Sequence, residues 1–275
     1  MDILNTVSLE SNSQIKINFD GGDLSSDAGL LLFKEFLFKT GAVKLISRLF
    51  KTNDTASFRI HKDGANLMQV IYQIISAYFE DDCADELANE PVMTAILEKD
   101  ALASQPTLSR FFNRMDQNSL EQLNQIIREL RKVIYSIKKP ESMLFDIDST
   151  LLNTYGNQEG EGFNYHYQAH GYHPLLCYDG LTGDLLKAEL RDGTKYCSKD
   201  ADSFMKSLLD EFTCDFPDLP LYLRGDSGFA SPDLYEVLED TDCKYAIRLK
   251  ENAKLRELAG EENRAVYRGP NFNQV

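Results

Sequence analysis

The hydrophobic pattern of the chain changes period at Pro140, and no other feature constrains the fold as tightly. Before Pro140, apolar residues recur at the three- and four-residue spacing of helices. Beyond it, short apolar runs alternate with helical stretches, which predicts an α/β fold. The expected organisation is a mainly helical N-terminal region over 1–139 and a mixed sheet with flanking helices over 140–275. A length of 275 residues gives each part enough chain to bury a core.

In the first part, helices are predicted from about Ala28 to Phe38, with Ser25 or Ser26 as N-cap and Gly41 at the end, and from about Gly64 to Phe79. Short helices follow near Ala84–Leu87 and Pro91–Leu97, and a longer one over Ser119–Ile137. Between them, Pro106 suits the first turn of a helix. That helix presents Thr107, Ser109, Arg110 and Arg114 either as the reading helix of a helix-turn-helix or as a solvated face. Arg131 and Lys132, with Arg128, Lys138 and Lys139, form the best local basic patch.

In the second part, strands are predicted at Met143–Asp148, Tyr172–Tyr178, Asp184–Leu190, Leu219–Leu223 and Tyr245–Leu249. Helices are predicted at Ala201–Phe212, with Ser198 as a possible N-cap, and at Pro232–Leu238.

The formal charge of −15 argues against indiscriminate binding to nucleic acid. The charge is uneven: residues 1–139 carry 16 basic and 19 acidic groups, residues 140–275 carry 13 and 25. Five widely spaced cysteines without a CxxC pair, and no leader or membrane-spanning run, predict free thiols in a reducing cytoplasm, no structural zinc and no membrane partner.

Two apolar runs end in acids. In Phe145-Asp146-Ile147-Asp148 the two aspartates share one face of a strand, because side chains alternate. In Leu221-Tyr222-Leu223-Arg224-Gly225-Asp226 a strand runs straight into a Gly-flanked aspartate. Strand carboxyl ends are where open sheets assemble sites. Carboxylates meeting there suit Mg²⁺ or Mn²⁺, and paired ions promote phosphodiester chemistry. The competing use of the same aspartates is to cap turns after buried strands.

Six segments in register then resemble a known family: Phe19-Asp20-Gly21-Gly22-Asp23-Leu24-Ser25-Ser26-Asp27-Ala28-Gly29, Gln105-Pro106-Thr107-Leu108-Ser109-Arg110-Phe111, Asp146-Ile147-Asp148-Ser149-Thr150, Tyr155-Gly156-Asn157-Gln158-Glu159-Gly160, Gly171-Tyr172-His173-Pro174-Leu175 and Arg224-Gly225-Asp226-Ser227-Gly228-Phe229. Together they resemble the group 1 DDE transposases of bacterial insertion sequences. The resemblance implies an RNase H-like core, two Mg²⁺ (or Mn²⁺) ions, and cleavage and joining of double-stranded DNA at terminal inverted repeats by a homodimer. It assigns the first family aspartate to Asp148, with Asp146 in reserve, and the second to Asp226. Metal ligands are then Asp148, Asp226 and Asp146, and Arg224 joins the candidate DNA contacts.

The family's third acid is a glutamate on a later helix. Glu251, Glu257, Glu261 and Glu262 are available, but none lies in the family's closing motif. The sheet is therefore expected to be incomplete, and the chain to be a C-terminally truncated form that neither cuts nor joins DNA. The competing functions are a DNA-binding or dimerising remnant and an unrelated metal-dependent nuclease or phosphatase. His166, His170 and His173 sit among tyrosines in one short stretch, as loop residues, backbone contacts or metal ligands. The glycine-rich Tyr155–Gly162 run lacks phosphate-loop spacing and is expected to form a loop over the site.

Overall fold

A computed structural model describes residues 6–22, 24–80, 82–250 and 252–255, and the chain divides into two compact units, Met1–Lys139 and Pro140–Val275. Among the described residues, no helix is long and apolar enough to cross a membrane.

Among the described residues of the first unit, a short antiparallel pair, β1 (Val7–Ser8) and β2 (Lys16–Ile17), precedes seven helices. They are α1 (Leu30–Lys39), α2 (Ala42–Leu49), α3 (Asp63–Ile75), α4 (Cys83–Glu86), α5 (Pro91–Leu97), α6 (Gln105–Phe112) and α7 (Gln117–Ile137). Leu31, Ile46, Phe50, Tyr72, Met93 and Phe111 meet in a common core. Gly41 ends α1 as expected, but it also starts α2: its φ of 74° lies in the left-handed region that glycine tolerates, so the chain turns and re-enters a helix at once. Neither Ser25 nor Ser26 caps α1. Gly29 occupies that position without a side-chain bond, and the Ser25 hydroxyl accepts from the Asp27 N–H inside the preceding turn.

Helix α7 begins two residues earlier than its apolar period suggested, because Asp116 and Ser119 form a reciprocal cap. The Asp116 carboxylate accepts from the Ser119 N–H at 2.9 Å, and the Ser119 hydroxyl accepts from the Asp116 N–H at 3.4 Å. Asp116→Ala is expected to destabilise this unit by about 1 kcal/mol, with Asp116→Asn recovering most of the loss, as read by urea unfolding.

The second unit is built on a five-stranded mixed sheet. Its strands are β3 (Met143–Ser149), β7 (Leu175–Asp179), β8 (Leu185–Glu189), β9 (Leu221–Gly225) and β10 (Lys244–Ile247). Across the sheet the order is β10-β9-β3-β7-β8; β9 runs parallel to both β3 and β10, and β7 is antiparallel to β3 and to β8. Strict alternation on β3 buries Met143, Phe145, Ile147 and Ser149 on one face. That face packs against helix α8 (Ala201–Asp215), where Phe145 and Phe212 meet edge-on at 5.1 Å. Helix α9 (Pro232–Asp240) packs beside α8 and contacts β10. Helix α8 is preceded by Asp200 in the left-handed region, not capped by Ser198.

The run Tyr172–Tyr178 does not form one strand. Pro174 has no N–H to give a ladder, and the His173 N–H goes instead to the Arg191 carbonyl at 3.0 Å. The chain therefore changes sheets there. On the upstream side, β6 (Ala169–Tyr172) joins β4 (Leu152–Asn153) and β5 (Gly162–Asn164) in a separate three-stranded sheet of order β4-β6-β5. On the downstream side, β7 enters the main sheet.

Candidate active site

Neighbouring parallel strands β3 and β9 both end at acids. Their register pairs Asp146 with Arg224 and Ile147 with Gly225, so Asp148 and Asp226 stand one step beyond the last pair, on the exposed face opposite α8. Both side chains reach solvent. Each carboxylate is held through one oxygen: Asp148 Oδ1 accepts from the Ser149 N–H and Asp226 Oδ1 from the Gly228 N–H, both at 2.7 Å. Among the described residues, neither Oδ2 has a hydrogen-bond partner, and no lysine or arginine pairs with either acid.

Asp146 is placed differently. It shares the β3 face with Asp148 but is engaged by the Arg224 guanidinium, whose Nε donates to Asp146 Oδ1 at 3.1 Å while Nη2 bonds Oδ2. The same pairing accounts for Arg224.

The walls of the site come from the histidine- and tyrosine-rich stretch noted in the sequence, through Tyr167 and His173, and from Arg191 and Cys197, which the sequence did not mark as part of a site. Tyr167 donates its hydroxyl to the Ser149 carbonyl at 3.3 Å, beside Asp148. Its phenol is held above the ordinary value by partial burial and by the negative charges of Cys197, Asp148 and Asp226. The Tyr167 ring meets His173 edge-on at 5.7 Å. His173 is buried, and its Nδ1 donates to the Lys195 carbonyl at 2.8 Å, which leaves Nε2 as an unpaired acceptor. Burial also pushes this imidazole below its usual value.

Arg191 ties these parts together. It is buried and donates Nε to the His173 carbonyl at 3.0 Å and Nη1 to the carbonyls of Tyr196, Cys197 and Lys199. That strap sets Cys197 against Gly228. A Cβ on Gly228 would stand 2.9 Å from Asp226 Oδ1 and 3.0 Å from Cys197 Cβ.

Two carboxylates with free oxygens on adjacent strand ends, and no cationic side chain to neutralise them, fit a hard divalent cation that keeps several waters. Among the described residues, no cluster of three or more His, Cys, Asp or Glu side chains forms a metal cage. The candidate third acids Glu251, Glu257, Glu261 and Glu262 lie outside the described residues. Gly228→Ala is expected to push the Asp226 carboxylate aside and weaken Mn²⁺ binding by about tenfold, as measured by titration against free Mn²⁺.

In the helical unit, Ser109 and Arg110 are exposed on α6, and Thr107 is half-buried, accepting from the Arg110 guanidinium at 3.3 Å. Arg114 faces inward. It donates to Asp63 at 3.1 Å, to the Thr52 hydroxyl at 3.2 Å and to the Arg110 carbonyl at 3.0 Å, linking α6 to the start of α3. Arg131 is buried on α7, and Lys132 pairs with Glu129 at 3.1 Å. Of the three clustered histidines, His170 pairs with Glu161 at 2.9 Å, His166 is exposed, and only His173 is enclosed.

The family model described as transposase DDE domain group 1 matches residues 7–274. Among solved structures, the catalytic domain of Mos1 mariner transposase is 10% identical, with a TM-score of 0.31 over 56% of this chain and 74% of that one. A piggyBac transposase synaptic complex with hairpin DNA is 16% identical, with a TM-score of 0.41 over 83% of this chain and 52% of that one, so the match spans about half of the piggyBac chain. No curated protein matches the chain. A family match over nearly its whole length, on a mixed α/β sheet whose adjacent strand ends carry Asp148 and Asp226, identifies the chain as a member of the transposase DDE domain group 1 family, with the DNA transposition function of that family.

Proposed function

We propose that this chain carries out the cleavage and joining of DNA at the ends of an insertion sequence, with Asp148 and Asp226 as catalytic residues and ligands of Mg²⁺ or Mn²⁺; this departs from the expectation of an inactive form, which rested on a missing third acid, because the candidates for that acid lie outside the described residues. The observation that carries this reading is the side-by-side placement of the two acids beyond the last β3–β9 pair. Asp148 and Asp226 would hold a divalent cation, which would supply activation of an attacking water or 3′-hydroxyl and stabilisation of the leaving oxygen. The protein's part is to hold both carboxylates by their Oδ1 atoms and leave the Oδ2 atoms free. Asp146, neutralised by Arg224, is a weaker candidate ligand than the other two.

The helical unit supplies affinity for the double-stranded terminal repeats, with Thr107, Ser109 and Arg110 presented on α6 and Lys132 on α7. Arg114 supports α6 from within, and Arg131 is buried on α7. Mos1 has been solved with Mn, with Mg and with a left transposon end; for this chain the reading rests on its own carboxylates and its family. Among the described residues none of its five cysteines forms a disulfide, in keeping with a reducing cytoplasm.

Purified chain incubated with end-bearing DNA and Mn²⁺ is expected to nick at the element end, with binding that weakens as salt rises. The mass of the complex reports whether a homodimer forms. End-specific binding without nicking would instead establish the DNA-binding remnant. Equal binding to unrelated DNA, with cleavage that ignores the ends, would establish a nuclease of another kind.

A further inference from the structure

The hairpin made by β5 and β6 carries an unusual density of rings for a segment beside a metal-binding pair. Phe163 meets Tyr165 edge-on at 5.2 Å and His170 at 5.2 Å; His166 meets Tyr167 at 4.8 Å, and Tyr167 meets His173 at 5.7 Å. Edge-on contacts of this kind fix ring orientation before any ligand arrives. The turn beneath them is also pinned. Asn164 is buried, accepts from the N–H groups of His166 and Tyr167 at 3.0 and 3.2 Å, and donates to the Gly193 carbonyl at 2.8 Å. The Tyr167 bond to the Ser149 carbonyl brings this turn to the end of β3, next to Asp148. Tyr165 leaves it outward, 79% exposed.

The charge of the hairpin decides what such rings can hold. From Leu152 to Tyr172 there is no lysine or arginine, while Glu159 and Glu161 add negative charge. A surface of that composition does not grip phosphates. Stacking on a base needs no cation, because every base has a π-face. A paired duplex hides those faces, so the matching ligand is a strand with unstacked bases.

We infer that the β5–β6 hairpin is a stacking platform for unpaired bases of the DNA strand beside Asp148 and Asp226, with Tyr165 as its outermost ring. The inference rests on the proposed strand-transfer reading and adds to it a specific contact for locally opened DNA.

The test uses the full chain in Ca²⁺ with a short single-stranded oligonucleotide carrying 2-aminopurine, and with the blunt duplex of the same sequence. Tyr165→Ala is expected to weaken single-strand binding about tenfold and to remove the quenching of the probe. Tyr165→Phe retains both, duplex binding is unchanged, and the fold-loss is the same at low and high salt. The inference is overturned if Tyr165→Ala binds the single strand like the parent, if Tyr165→Phe is as weak as Tyr165→Ala, or if the loss shrinks as salt rises. Cleavage by the parent chain, read in parallel, separates the two readings: Tyr165-dependent stacking without cleavage refutes strand transfer alone, and cleavage without Tyr165-dependent binding refutes the platform alone.

Discussion

Asp226→Asn is expected to lower Mn²⁺-dependent nicking of end-bearing DNA by on the order of 10³-fold or more, with DNA binding unchanged. The substitution keeps the size of the side chain and its acceptor for the Gly228 N–H, so the turn after β9 stays folded. It removes the negative charge that, with Asp148, would hold the proposed cation. Asp148→Asn is expected to act the same way, since Asn keeps the oxygen that accepts from the Ser149 N–H. The double variant should be no worse than either single one, because two ligands of one centre act as a unit. Gel-based nicking assays across a Mn²⁺ series read this directly. Activity within tenfold of the parent in either single variant would remove the two aspartates from the chemistry. Asp146→Asn is the contrasting case: its carboxylate is already bound by Arg224, and a modest loss is expected.

Phe145→Ala is expected to destabilise the second unit by about 3–5 kcal/mol, since the ring is fully buried and its removal leaves a cavity. Phe145 sits one residue before Asp146 on β3 and packs edge-on against Phe212 of α8. The register that aligns Asp148 with Asp226 depends on β3 keeping this face inward, because a one-residue slip would reverse every side chain. Thermal unfolding is expected to shift downward by roughly 10 °C or more. Phe145→Leu, which keeps most of the volume, should recover the larger part of the loss. A shift of only a degree or two would mean that α8 does not cover this face as described.

Several elements were legible because local chemistry specifies them. The alternation in Met143–Ser149 announces a half-buried strand, and Pro106 announces the first turn of α6. The acids at the ends of β3 and β9 stood out because an apolar run ending in aspartate is visible in one dimension. Where the reading departed from the structure, a distant partner had decided the outcome. Helix α2 went unpredicted because Gly41 reads as a stop, whereas its left-handed turn leads directly into the next helix. The run across His173 and Pro174 looks like one strand, yet the Arg191 carbonyl takes the His173 N–H and sends the two halves to different sheets.

The same division holds at the candidate site. By itself the sequence determined the α/β class, the family and the two aspartates, since each is carried by residue types and spacing along the chain. Only the tertiary structure decided that Asp146 is spoken for by Arg224, that Arg114 faces inward to Asp63, and that Tyr167, His173 and Cys197 wall the carboxylates. Those contacts join residues up to 78 positions apart. Spacing and periodicity describe neighbours along the chain, and pairing across it is set by packing and by which buried polar groups find partners.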